Sequence, residues 1–198
     1  MKICQALLAV CACATLPLHG ADLSDLIYTT NDGKVTITDC VTGASGALII
    51  PTTIKGKPVT SIGVRAFQGC GNLTSITIPD SVISIGEMAF TECRNLTRIN
   101  IPDNVTSIGS YAFLACHSLT TITIPEGVTS IGDFTFYECR SLTNITIPES
   151  VTSIGDWAFR GPNSLTSITI PEGVTSIGNS AFRECRSLTS ITIPDGVT

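Results

Sequence analysis

The fold class this sequence predicts is a solenoid of stacked coils, and three observations predict it. Prolines recur at Pro79, Pro102, Pro125, Pro148, Pro171 and Pro194, always 23 residues apart. The phenylalanines Phe67, Phe90, Phe113, Phe136, Phe159 and Phe182 keep that period, and so do the glycines Gly63, Gly86, Gly109, Gly132, Gly155 and Gly178. Between these markers, short runs alternate apolar and polar residues. A repeat in the twenties is the mark of units that cannot bury an apolar face alone and do so by stacking on one another.

One unit reads VTSIGDWAFRGPNSLTSITIPEG, from Val151 to Gly173. In it, Ile168-Thr169-Ile170 alternates with a period of two, as a half-buried strand does. Pro171 ends the strand, because proline cannot donate to a continuing ladder. Val174 and Ile177 are expected to point inward before Gly178 turns the chain. Ala181, Phe182, Cys185 and Leu188 then follow at three- and four-residue steps, which predicts one face of a short helical turn. Strand, bend, short helix and strand make a coil that closes every 23 residues.

The pattern LxxIxIP followed by VxxIGxxAFxxC resembles the BspA-like class of leucine-rich repeats, over about residues 48–198. The resemblance implies a leucine-rich repeat solenoid: curved, right-handed coils, each a parallel β-strand plus a short helix or 3-10 turn. It also implies a surface protein that attaches or binds proteins, without one shared ligand.

The two ends of the chain differ from the repeats. Residues 1–20 carry one early cation, Lys2, and an apolar run from Ile3 to Leu16, which fits a secretory signal peptide and is too short to span a bilayer. Residues 21–58 are expected to form an N-terminal cap with a degenerate first repeat. There Asp32-Gly33 separates two strand-like runs, a hairpin signal, and Lys55-Gly56-Lys57-Pro58 reads as an insertion. Residues 59–198 make about six repeats. They stop mid-coil with no C-terminal cap in view, so the open strand edge is expected either to be covered or to self-associate.

Composition narrows the function. The chain has a formal net charge of −5, 14% charged residues and 28 threonines. An acidic chain lacks the cations to neutralise a run of phosphates, which argues against nucleic acid. His117 is the only histidine beyond the leader, and no nucleophile, phosphate-loop or zinc-protease motif surrounds it. A non-enzymatic protein is therefore expected, with no cofactor, no metal and no small-molecule substrate. Its expected partner is an extracellular or cell-surface protein. The alternative is a structural spacer or self-assembling surface-layer component.

Stacking coils about 4.8 Å apart turns each repeat position into a column, and the columns show where a binding surface would break the pattern. Ser75, Arg98, Thr121, Asn144, Ser167 and Ser190, with Thr77, Asn100, Thr123, Thr146, Thr169 and Thr192, predict a solvated sheet face. Asp80, Asp103, Glu126, Glu149, Glu172 and Asp195 form a row of like charges suited to a solvated edge. Cys70, Cys93, Cys116, Cys139 and Cys185 predict buried free thiols, Pro162 replaces one of them, and Cys40 is expected to be the more exposed thiol. The column before the Ala-Phe pair stands out: Met88, Tyr111, Phe134 and Trp157 put a large apolar group on four consecutive coils, with Leu114 and Tyr137 nearby. These six residues are the candidate partner-binding ridge, since aromatics dominate interface hot spots. Simple packing of one ridge side chain over the next is the alternative reading.

Overall fold

A computed structural model describes residues 20–198. The signal-peptide expectation falls, but for Gly20, outside the described residues. Each coil brings two short strands into the stack, which form two parallel ladders, each interrupted once. The first ladder consists of Gly46–Ile49, Leu73–Thr77, Arg98–Asn100, Thr121–Thr123, Asn144–Thr146, Ser167–Thr169 and Ser190–Thr192. Its register steps by one repeat, with Ile76 opposite Ile99 and Ile168 opposite Ile191. The pairing is interrupted between Asn144–Thr146 and Ser167–Thr169.

The second ladder contains Lys57–Ile62, Ser84–Ile85, Ser107–Ile108, Ser130–Ile131, Ser153–Ile154 and Ser176–Ile177. Sequence periodicity missed the strands from Ser84 onward because two residues are too few to show alternation. Directly after each comes the repeated glycine. Its place follows from how closely the coils approach there: a Cβ on Gly86 would lie 2.6 Å from the carbonyl carbon of Gly63.

The short helix expected after that glycine does not form, and the coils are built from turns instead. The backbone shows why. Two residues per coil sit in the left-handed region, for example Met88 at φ 57° and Glu92 at φ 60°, and a right-handed helix cannot pass through them. Alternate N–H groups leave the coil and bond to the next one: Met88 N to Ser110 O at 3.0 Å, Phe90 N to Ala112 O at 2.8 Å and Glu92 N to Leu114 O at 2.8 Å. The intervening N–H groups close tight turns, such as Cys93 N to Phe90 O at 3.2 Å. Among the described residues the only helical element is a 3-10 turn, Leu23–Asp25, whose N-cap Asp22 accepts from Ser24 N.

Inside the coils, one column of side chains fills the centre. Phe67, Phe90, Phe113, Phe136, Phe159 and Phe182 stack with ring centroids 5.2 to 5.5 Å apart. Leu, Ile and Val from both ladders close around them, and Phe67 to Phe159 are fully buried. Thr135 stands where other coils have alanine and is buried, and its hydroxyl donates to Gly132 O at 2.8 Å.

The first ladder and the second both extend into residues 26–54. Leu26–Asn31 and Lys34–Cys40 pair antiparallel across Asp32-Gly33, where φ is positive at both turn residues. Lys34–Cys40 in turn runs parallel to Lys57–Ile62, so it is already a solenoid strand. Thr53–Ile54 folds back on Lys57-Pro58 around Lys55-Gly56.

Candidate functional site

The ridge begins as a backbone property. Arg65, Met88, Tyr111, Phe134, Trp157 and Ser180 all have left-handed φ, between 54° and 61°. Bulky side chains in this region cost on the order of 1 kcal/mol each. The inter-coil hydrogen bonds hold them there: Tyr111 N donates to Asp133 O, Phe134 N to Asp156 O and Trp157 N to Asn179 O, at 2.9 to 3.0 Å. The column is thus an obligatory corner of the coil, and four successive coils fill it with large apolar groups.

Tyr111 stacks on Phe134 with centroids 4.8 Å apart, and Phe134 stacks on Trp157 at 6.1 Å. Tyr137 leans against Phe134 at 5.5 Å and an interplanar angle of 45°. Met88 lies at the other end, its sulfur 3.4 Å from Arg65 Nε. Leu114 sits over the Tyr111 turn, its N–H donating to Tyr111 O. All six candidate residues are half-buried. The rings therefore form one contiguous, part-exposed stack in which each covers part of its neighbour.

Two cations complete this surface that sequence reasoning missed. The Arg160 guanidinium lies 4.9 Å from the Trp157 ring and 5.3 Å from the Tyr137 ring, and that of Arg183 lies 5.6 Å from Trp157. Arg160 also donates to the Tyr137 hydroxyl and to Glu184 Oε1, the latter at 2.9 Å. That hydrogen bond from Arg160 holds the Glu184 carboxyl below the usual carboxylate range, and nearby Arg183 and Arg186 add to it. The signal was present in the repeat: the column holding Leu114 and Tyr137 continues, 23 residues on, to Arg160 and Arg183.

The other columns lie as follows. The post-proline acids are exposed, and so are the hydroxyls of the first ladder's outer face, Ser75 being half-buried. That face is not flat: a hollow of about 420 Å³ opens beside Ser75, Thr77, Arg98 and Asn100, and one of about 320 Å³ where the ladder is interrupted, beside Asn144, Thr146 and Thr169. The column cysteines are buried and unbridged. Burial pushes the thiols of Cys93, Cys116 and Cys139 well up, and that of Cys185 to about 11. Cys40 corrects the expectation of an exposed thiol: it is 3% exposed, because Lys34–Cys40 is a solenoid strand whose last side chain turns inward. His117 is half-buried, and burial and the charges of Arg140 and Arg94 hold it below its ordinary range.

Comparison with known proteins agrees with this architecture. The family model described as "BspA type Leucine rich repeat region" matches in six copies over residues 49–164 and 108–198. A leucine-rich repeat protein of T. pallidum is 33% identical with a TM-score of 0.83, over 89% of this chain and 84% of that one. A leucine rich cell surface protein from Faecalibacterium prausnitzii is 38% identical, TM-score 0.65, over 85% of this chain and 52% of its own. A leucine-rich repeat protein from Bacteroides ovatus is 34% identical, TM-score 0.64, over 87% and 53%. The chain thus spans about half the length of these last two. No curated protein matches it. The repeat, its register and these likenesses agree: the chain belongs to the BspA-type leucine-rich repeat family.

Proposed function

We propose that this chain is a non-enzymatic, secreted or cell-surface binding protein that holds a protein partner on the ridge of Met88, Tyr111, Leu114, Phe134, Tyr137 and Trp157. One observation carries the reading: four aromatic rings and two guanidinium groups form a single part-exposed surface crossing several coils. Rigid aromatics and arginine are the residue types that dominate protein interfaces, since they bury much area at small entropic cost. The surface location is supported by the family and by a relative described as a leucine rich cell surface protein. In this reading the antiparallel strand Leu26–Asn31 shields the solenoid's first edge.

The test is capture of extracellular proteins by the purified chain, beside a variant with Tyr111, Phe134, Tyr137 and Trp157 all changed to Ser. Circular dichroism first establishes that the variant keeps its strand signal. A partner retained by the wild type and lost by the variant is the expected result. If the partner binds both equally, the ridge is packing only. If the chain retains only copies of itself, and the variant does so too, the self-assembling structural reading takes its place.

A further inference from the structure

Six cysteines lie in the solenoid, and one pair differs from the rest. Cys93, Cys116, Cys139 and Cys185 each turn the thiol to a phenylalanine carbonyl in the preceding coil, that of Phe67, Phe90, Phe113 and Phe159, at 3.0 to 3.2 Å. Cys70 follows the same rule, but its acceptor is Cys40 O at 3.6 Å. Cys40 therefore takes the place of a core phenylalanine at the start of the stack, and a second thiol stands where a ring would be. Both residues are buried. The Cys40 thiol is also within reach of Val41 O, at 3.7 Å.

We propose that Cys40 and Cys70 are a disulfide pair, closed under oxidising conditions to tie the strand Lys34–Cys40 to the first full coil. The step is thiol–disulfide exchange with a small disulfide such as oxidised glutathione. The Cys70 thiolate attacks a glutathione sulfur, expelling one glutathione thiolate. The Cys40 thiolate then attacks Cys70 Sγ in the mixed disulfide and expels the second. Two S–H bonds and one S–S bond are lost, one Cys40–Cys70 S–S bond forms, and two reduced glutathiones leave. For each of the deeper cysteines the carbonyl that the thiol faces belongs to a phenylalanine and not to a second cysteine. Because both sulfurs are buried in the native state, the exchange takes place as the chain folds, and docking of the first coil selects the pair.

The full chain is unfolded in reductant and refolded with and without a glutathione redox buffer. It is then quenched with an alkylating agent and mapped by trypsin and mass spectrometry. The expected product links the peptide 35–55 to the peptide 66–94, with fragmentation placing the bridge at Cys70 and leaving Cys93 alkylated. The bridged protein should melt roughly 5–10 °C above the reduced one, as closing a loop of about 30 residues implies. Cys40→Ala should lose both the link and the redox dependence of Tm. Cys70→Ala should do the same, which keeps the test valid if one variant fails to fold. Finding Cys40 and Cys70 both alkylated after oxidative refolding overturns the proposal, as does a bridge from either one to another cysteine.

Discussion

At the scale of single residues, each coil depends on two positions in a backbone conformation that most side chains avoid. The two columns are Arg65, Met88, Tyr111, Phe134, Trp157 and Ser180, and Gly69, Glu92, Ala115, Glu138, Gly161 and Glu184. Only two of the twelve are glycine, so the fold carries this strain repeatedly and meets it with hydrogen bonds to the next coil. The consequence can be checked at two simple sites. Ser180 is exposed, at φ 55°, and Ser180→Gly should raise stability by about 0.5–1 kcal/mol, less the extra entropy glycine brings to the unfolded chain. Gly69 has φ 75° and open space where a Cβ would go, so Gly69→Ala should cost about 1 kcal/mol through backbone strain alone. Urea denaturation of the two variants measures both. Equal stabilities would mean that the left-handed corners carry no strain.

At the scale of elements, the phenylalanine stack is what each coil closes around. Phe159 is fully buried, with rings at 5.3 and 5.4 Å on either side. Phe159→Ala leaves a ring-sized cavity between two coils and should cost roughly 3–5 kcal/mol. Phe182 is only half-buried and has a stacked ring on one side, so Phe182→Ala should cost less than half as much. Denaturant midpoints at unchanged slope give both values, and a loss below about 1 kcal/mol at Phe159 would show that the column is not core. From Ser84 onward the strands are only two or three residues long, and the stack of rings adds buried contact between the coils. The ridge outside also stacks ring on ring in half-buried form, with Tyr111 and Phe134 4.8 Å apart and Phe134 and Trp157 6.1 Å apart.

At the scale of the molecule, the solenoid is a one-dimensional assembly in which each coil touches only its neighbours. Removing one whole period, residues 128–150, joins two coils in unchanged register, with Pro125, Glu126 and Gly127 now leading into Val151. The shortened chain should fold cooperatively, with a lower midpoint and a denaturant slope reduced by about one coil's share. Removing residues 128–138 instead shifts both ladders out of phase with the core and should abolish cooperative unfolding. If both deletions behave alike, the coils are not the units of stability. The exposed acidic column runs from Asp80 to Asp195, one carboxylate per coil.

The period, the phenylalanine and cysteine columns, the strand ending at each proline and the half-exposed ridge were all legible in the sequence, because a 23-residue repeat forces like side chains into line. Three features were decided only by the tertiary structure. The second ladder was hidden because Ser-Ile pairs become strands only when the next coil supplies their hydrogen-bond partners. The segment around Ala89, Phe90 and Cys93 has helical spacing but forms turns, because Met88, Phe90 and Glu92 donate their N–H groups to the neighbouring coil instead of closing a helix. Arg160 joined the ridge through contacts with Tyr137, Trp157 and Glu184, which come from three different coils. Local pattern determines what faces inward, since burial follows residue type. Where a backbone hydrogen bond goes, and which cation covers which ring, depends on the coil above, and that neighbour exists only once the chain has folded.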